Sequence, residues 1–305
     1  MIVVTGAAGF VGSNLVKALN DRGETDIIAV DNLTNGDKFR NLVDCQIADY
    51  LDKEEFLRKL SLGAFDEDIS VVLHQGACSN TMEGDGRYMM ENNYRYSAEL
   101  LDFCQSEEVP FIYASSAAVY GGGSTFREDP QFERPLNVYG YSKFLFDSLV
   151  RRRWGDNTAQ VIGLRYFNVY GPREAHKGIP ASMVLHLSRQ IKEGKRPRIF
   201  KHGEQKRDFV YVKDIVEGTL RALEANESGI YNLGSGQARS FNELIAVLNH
   251  SLGTNFEAEY FDNPHAHYQN HTEADLTNVR KALGYEPQFS LEAGVADYMR
   301  WLYPA

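Results

Sequence analysis

The chain has 305 residues, 43% of them hydrophobic, and a net charge of −10 from 42 acidic and 32 basic side chains. That is enough apolar material for one large or two modest globular domains, and the acidic balance opposes general binding to nucleic acid or to an anionic membrane. The three cysteines, Cys45, Cys78 and Cys104, lack metal-ligand spacing and read as buried thiols of a reducing compartment, with neither a disulfide framework nor a metal site expected.

No run approaches the roughly 18 consecutive apolar residues of a membrane span. The opening "MIVVTGAAGF" has neither a basic n-region nor a small-residue cleavage site, so a cytoplasmic protein is expected. It begins instead as a strand, "IVVT", running into "TGAAGFVG" and a helix from Phe10 to Asp21. Gly6, Gly9 and Gly12 therefore lie between a strand and a helix, where glycines let the backbone approach a pyrophosphate held by free N–H groups at the helix start. The second strand, "IIAVD", ends on Asp31, placed to accept hydrogen bonds from an adenosine ribose. A 2′-phosphate would be repelled there, yet Asn32, Lys38 and Lys53 follow and the lysines can neutralise it; NADP and NAD both stay open.

Next come "VVLHQGA", a long helix from about Tyr88 to Glu107, "PFIYASS", and "VYGYSK" at the start of a helix. Strands alternating with helices indicate βαβ units and a doubly wound parallel sheet, a Rossmann-type α/β fold. After "VIGLRYFNVYGPR" the rhythm breaks, with Pro172, Pro180, Pro197, Pro264 and Pro287 punctuating shorter elements. The expected division is a nucleotide-binding domain over 1–167, with a returning segment near 207–228, and a smaller, interleaved α/β substrate domain over 168–305. In "VYGYSK", Tyr139 and Lys143 stand four apart, on one face of a helix, so a lysine can tune a tyrosine.

The glycine turn, "HQGACS", "ASSAAVYG" and "YGYSK", in this order, make the chain resemble the extended short-chain dehydrogenase/reductase family. From "NNYRYS", "RYFNVYGPRE", "HKG", "KRDFVYVKD", "YNLGSG" and "EADLTN", it resembles the ADP-heptose 6-epimerase branch along essentially its whole length. The resemblance implies that Ser116, Tyr139 and Lys143 are catalytic. Tyr139 would take a hydroxyl proton, Lys143 would lower the phenol from its ordinary pKa near 10 and bond the nicotinamide ribose, and Ser116 would bond the substrate oxygen. The sugar-nucleotide dehydratases of the family carry an Asp-Glu pair after the Ser/Thr; Ala117 and Ala118 stand there, which disfavours elimination.

Lys177, in "HKG", is implied as a second proton-transfer group that also meets the cofactor, although locally it reads equally well as a solvated loop lysine. Further cofactor positions implied are Phe10, Val11, Gln75, Gly76, Ala77, Cys78, Ser79, Asn92 and Val169; substrate positions implied are Ser116, Asn168, Ile179, His186, Phe200, Lys201, His202, Gly203, Arg207 and Tyr268. Arg207 is the most persuasive chemically, since a guanidinium fork suits a diphosphate. The chain departs from the branch at Gln75, where a glutamate is usual, at Ile179, often serine, and in a shortened "FKHGEQKRDF" loop. As a whole the resemblance implies an isomerase that holds NADP, or NAD, and epimerises an ADP-heptose at carbon 6 for the lipopolysaccharide inner core. It also implies a homo-oligomer, specifically a pentamer, without nucleic-acid, membrane or metal partners. A UDP-hexose 4-epimerase shares the Ser, Tyr and Lys positions, whereas catalytically silent cofactor-binding relatives commonly lack the Tyr–Lys pair.

Overall fold

Short runs of Val, Ile and Leu have no polar face to present to water, so they form strands covered on both sides. The computed structural model describes residues 1–65, 68–225, 227–263 and 269–304. Its strands are β1 (Ile2–Thr5), β2 (Ile27–Asp31), β3 (Asp49–Asp52), β4 (Val71–His74), β5 (Phe111–Ser116), β6 (Val161–Tyr166), β7 (Asn168–Tyr170), β8 (Arg198–Phe200), β9 (Lys206–Tyr211), β10 (Gly229–Leu233), β11 (Ala238–Ser240) and β12 (Glu259–Phe261). Between them run α1 (Phe10–Asp21), α2 (Lys53–Ser61), α3 (Gly86–Met90), α4 (Tyr96–Ser106), α5 (Val138–Arg153), α6 (Met183–Lys192), α7 (Val212–Leu223), α8 (Phe241–Leu252), α9 (Thr277–Leu283) and α10 (Leu291–Leu302).

Seven strands form one parallel sheet in the order β10-β6-β5-β4-β1-β2-β3. Alternate residues feed opposite faces: Val4, Ile27 and Ile112 join the core under α1, α7 and α9, whereas Val3, Ile28 and Phe111 join the core under α2, α4 and α5. A third core gathers α6, α8 and α10 over the small sheet β11-β9-β7, in which β7 and β9 are parallel and β11 and β9 antiparallel; β8 and β12 make a separate two-stranded ribbon. The fold is a Rossmann-type doubly wound sheet with a smaller α/β portion. The chain rejoins the large sheet through α7 and β10, so the return reaches residue 233, beyond the 207–228 expected.

Two local expectations are corrected. The long helix is interrupted by a π-helical turn, Glu91–Arg95, between α3 and α4, where Asn93 turns inward to bond the backbone of Cys78 (2.8 and 3.0 Å) and the Ser142 hydroxyl (3.1 Å). Of the cysteines only Cys104 is buried, because Cys45 and Cys78 lie on loops, before β3 and after β4, and are partly exposed. Among the described residues no helix is long and apolar enough to cross a membrane.

Winding reverses between β1 and β4, and their exits touch. A Cβ on Gly6 (φ +66°) would lie 2.7 Å from the Gly76 nitrogen, and one on Gly12 would lie 2.1 Å from the Gly6 carbonyl oxygen. The atoms in the way are backbone and cannot turn aside. Gly12→Ala is therefore expected to lower stability by about 1–3 kcal/mol through overpacking, read as a reduced denaturation midpoint; a midpoint equal to the parent's would refute the close contact.

Candidate active site

The crevice at the switch point is the usual ligand position in an open α/β sheet, and here it is a cleft of about 630 Å³. α1 opens on Gly9 with no side-chain cap, leaving its first N–H groups directed into that cleft for an anion. Asp31, at the end of β2, accepts from the Ala8 N–H (2.8 Å) and the Asn32 N–H (2.6 Å) and pairs with Lys38, whose ammonium also reaches the Asn32 carbonyl (2.7 Å). Asp31 is thus neutralised within the chain rather than presented as a free acceptor. Lys53 bonds the Asn92 side chain at 2.5 Å. The glycine cradle, the uncapped helix start and the paired acid suit a dinucleotide.

Opposite this end, α5 begins at the Asn137 cap, whose side chain accepts from the Gly140 N–H (2.8 Å). A Cβ on Gly140 would come within 2.7 Å of the Ala118 carbonyl, so a glycine lets the start of α5 lie on the turn that follows β5. That contact brings Tyr139 to Ser116 and Lys143 to the same cleft. Lys143 is buried and donates to the Ala114 carbonyl at 2.8 Å. Burial pushes it down to about 8, with the Asp147 carboxylate one turn along opposing the fall.

The expected lowering of the tyrosine by the lysine is not found in the chain by itself. Burial pushes the Tyr139 phenol above its ordinary value, a hydrogen bond with Ser116 pulls it back, and the nearby Cys78 thiol raises it further. Desolvation of the buried phenol outweighs its hydrogen bond with Ser116.

Behind the cleft a buried relay fixes the two strand exits. The Gly76 N–H donates to the Thr5 hydroxyl (3.1 Å), Thr5 bonds His74 Nδ1 (2.6 Å), and His74 Nε2 bonds Ser97 (2.8 Å), which donates to the Asn93 carbonyl (2.7 Å). Because Ser97 spends its proton on that carbonyl, His74 must donate from Nε2 and accept at Nδ1. It is a neutral imidazole, and its pKa is lowered from 6.5 to about 3, by burial first and the Lys143 charge second.

Every expected cofactor position lines the cleft: Gly6, Gly9, Phe10, Val11, Gly12, Asp31, Asn32, Lys38, Lys53, Gln75 through Ser79, Asn92, Lys143, Val169 and Lys177. Of the expected substrate positions, Ser116 and Asn168 line it. Ile179 is 86% exposed, and its carbonyl meets His186 Nε2 at 3.1 Å. Phe200 packs on Phe261, Lys201 pairs with Asp262 (2.9 Å), His202 leans on Tyr260, and Gly203 sits against Asn242. Arg207 is buried with its guanidinium over the ring of Phe241, a residue that lines the cleft. Tyr268 lies outside the described residues. Tyr88, His176, Ser182, Gln269 and Thr272 also line the cleft. They come from α3, a 3-10 turn, the cap of α6 and a loop, whose local patterns carry no signal beyond the "HKG" that contains His176.

Residues 2–234 match the family model described as the NAD dependent epimerase/dehydratase family. The chain belongs to that family. Among solved structures this epimerase-family chain is similar to ADP-L-glycero-D-manno-heptose-6-epimerase from Helicobacter pylori, at 36% identity over 100% of this chain and 96% of that one, with a TM-score of 0.89. It is also similar to the UDP-glucose 4-epimerase of Thermotoga maritima (28% identity, 99% and 98% coverage, TM-score 0.87). A third likeness is to a UDP-glucuronic acid 4-epimerase from Bacillus cereus in complex with UDP-glucuronic acid and NAD (28%, 99% and 99%, TM-score 0.84). Related epimerases thus bind a nicotinamide cofactor and a sugar nucleotide.

The depressed histidine gives this family member an acid-sensitive core. A group whose folded pKa lies below its unfolded value stabilises the fold above the unfolded pKa and loses that contribution as pH falls toward the folded one. Between pH 6.5 and 3, set by the two His74 values, stability is expected to fall. The slope from this residue approaches roughly 1.4 kcal/mol per pH unit, and His74→Gln should flatten it. Parallel acid-unfolding curves for the parent and the variant would contradict the neutral relay.

Proposed function

We propose that the protein interconverts ADP-D-glycero-D-manno-heptose and ADP-L-glycero-D-manno-heptose at carbon 6 with NADP bound, a step toward the lipopolysaccharide inner core. The observation that carries this is the presence of two proton-transfer candidates in one cleft: Tyr139 beside Ser116 on one side, and Lys177, its ammonium 5.5 Å from the centre of the Phe10 ring, on another. Burial pushes Lys177 below its ordinary value, the direction a proton-exchanging lysine needs. The similarity to the Helicobacter pylori heptose epimerase supports the substrate, and Ala117 and Ala118 leave no acid pair for dehydration.

Residue by residue, Ser116 would bond the reacting oxygen, Lys143 would hold the cofactor ribose, and Tyr139, its phenol drawn down by the positive charge of the bound oxidised nicotinamide, would accept the hydroxyl proton as the carbonyl forms. Lys177 serves the proton of the opposite epimer, whose hydroxyl points elsewhere. When bound, the nicotinamide supplies hydride acceptance and return. Lys38 and Lys53 meet the 2′-phosphate, Lys38 having already cancelled the charge of Asp31. The enzyme is proposed to work as a homo-oligomer in the cytoplasm.

The deciding experiment incubates the purified enzyme with ADP-heptose and with UDP-hexoses; turnover of a UDP-hexose alone would replace the heptose assignment with a 4-epimerase. Tyr139→Phe is expected to reduce ADP-heptose turnover by about 100-fold or more. Lys177→Met should likewise halt epimerisation while cofactor stays bound, and normal turnover would return Lys177 to the status of a loop lysine. In heavy water the product sugar should carry no deuterium on carbon, since direct oxidation and re-reduction exchange no C–H hydrogen with solvent. For the cofactor, Lys38→Ala should weaken NADP more than NAD in direct binding measurements, and an equal loss would refute the phosphate role.

A further inference from the structure

The stretch Gly171 to Ser182, "GPREAHKGIPAS", straps the two parts of the molecule together and carries Lys177. It is held in conformations that most side chains resist, with φ of +73° at Arg173 and +61° at Gly178. On the Rossmann side, Asn14 donates to the Pro172 carbonyl (3.0 Å), Asn41 donates to the Arg173 carbonyl (3.0 Å), and Arg173 pairs with Asp44 (2.7 Å). On the other side the anchor is Glu174.

The Glu174 side chain is fully buried. Its carboxylate accepts from the Ser182 N–H (2.6 Å), the Ser182 hydroxyl (2.7 Å) and the Gly171 N–H (3.3 Å), closing the strap at both ends; the Tyr298 hydroxyl of α10 faces it. Among the described residues it forms no ion pair. A buried carboxylate without a cation in contact is costly, and donors offset only part of that cost. Three residues on, the same strap presents Lys177, whose ammonium rests over the Phe10 ring at the start of α1. The other charged or titratable groups around Lys177 are His176, which burial, Lys38 and Lys177 keep toward its neutral form, and the Lys38–Asp31 pair at the end of β2. Burial lowers Lys177 and the Glu174 charge raises it.

We propose that Glu174 is the positioning residue for Lys177: its buried carboxylate closes the 171–182 strap and supplies the negative charge against which the lysine is held at the cleft. The effect on turnover rests on the second acid/base role proposed above for Lys177, whereas the effect on the lysine's own titration does not. Glu174→Gln keeps the size and removes the charge. With lysine-selective carbon-13 labelling, and Lys177→Met to identify the resonance, the Lys177 midpoint in E174Q should move to lower pH. Turnover of ADP-heptose should fall roughly 10- to 100-fold, as for a misplaced catalytic group, while cofactor content stays at the parent level.

An unmoved midpoint in E174Q overturns the proposal. A moved midpoint with unchanged epimerisation upholds the charge relation and removes the catalytic role of Lys177 instead. Glu174→Asp retains the charge on a stem one methylene shorter; it should hold the midpoint near the parent value while losing part of the turnover. Should E174Q not fold, E174D decides alone: an unmoved midpoint with reduced turnover upholds the positioning role, and turnover equal to the parent's overturns it.

Discussion

Everything at this site depends on how closely two strand exits approach each other. With no Cβ at Gly6, the β1 turn lies directly on the Gly76 backbone, and the adjacent Thr5–His74–Ser97 relay keeps those exits from sliding. Parallel strands provide this geometry wherever winding reverses direction, and the glycines turn it into a cradle open to a large anionic ligand. Bulk at either exit would close the cradle before any ligand arrived.

The same constraint reaches the chemistry through α5. Asn93, turned inward by the π-helical turn, ties the β4 exit loop at Cys78 to Ser142, the residue before Lys143. From beneath, Asp147 on α5 accepts from Tyr113, Ser115 and Arg165, each at 2.9 Å, and Arg165 continues to Glu133 and Tyr120. Arg165, Asp147 and Glu133 have fully buried side chains, so each charge is kept by its partners and breaking one bond strands another. The network therefore fixes the register between β5, which carries Ser116, and α5, which carries Tyr139 and Lys143.

With the cradle and the Tyr–Lys pair held by these bonds, the strap 171–182 that follows β7 brings Lys177 to the cleft. Its outward bonds reach Asn41 and Asp44 on the Rossmann side, and Glu174 ties it to Ser182 at the start of α6, so the lysine's place depends on both attachments. That division suits a reaction in which hydroxyls in two different positions must each find a proton acceptor.

Much of this was legible in the residues themselves. Buried strands announce themselves as unbroken apolar runs, Gly6, Gly9 and Gly12 as a strand-to-helix turn, and Tyr139 with Lys143 as neighbours on one helical face, because each signal is carried by local backbone geometry. Local sequence did not disclose the π-helical turn, since Asn93 finds its partners in a loop 15 residues back and on α5, 49 residues on. Nor did it disclose the direction of the Tyr139 shift, because desolvation depends on what surrounds a phenol and not on what precedes it in the chain. Arg207, expected at the ligand, packs over the Phe241 ring, and nothing in the local pattern marks Glu174 as the anchor of the strap. Charge, burial and distance between remote segments exist only once the chain has folded, so the sequence by itself determined the elements and the chemical types at the cleft, and tertiary packing decided which side chains meet there and in what protonation state.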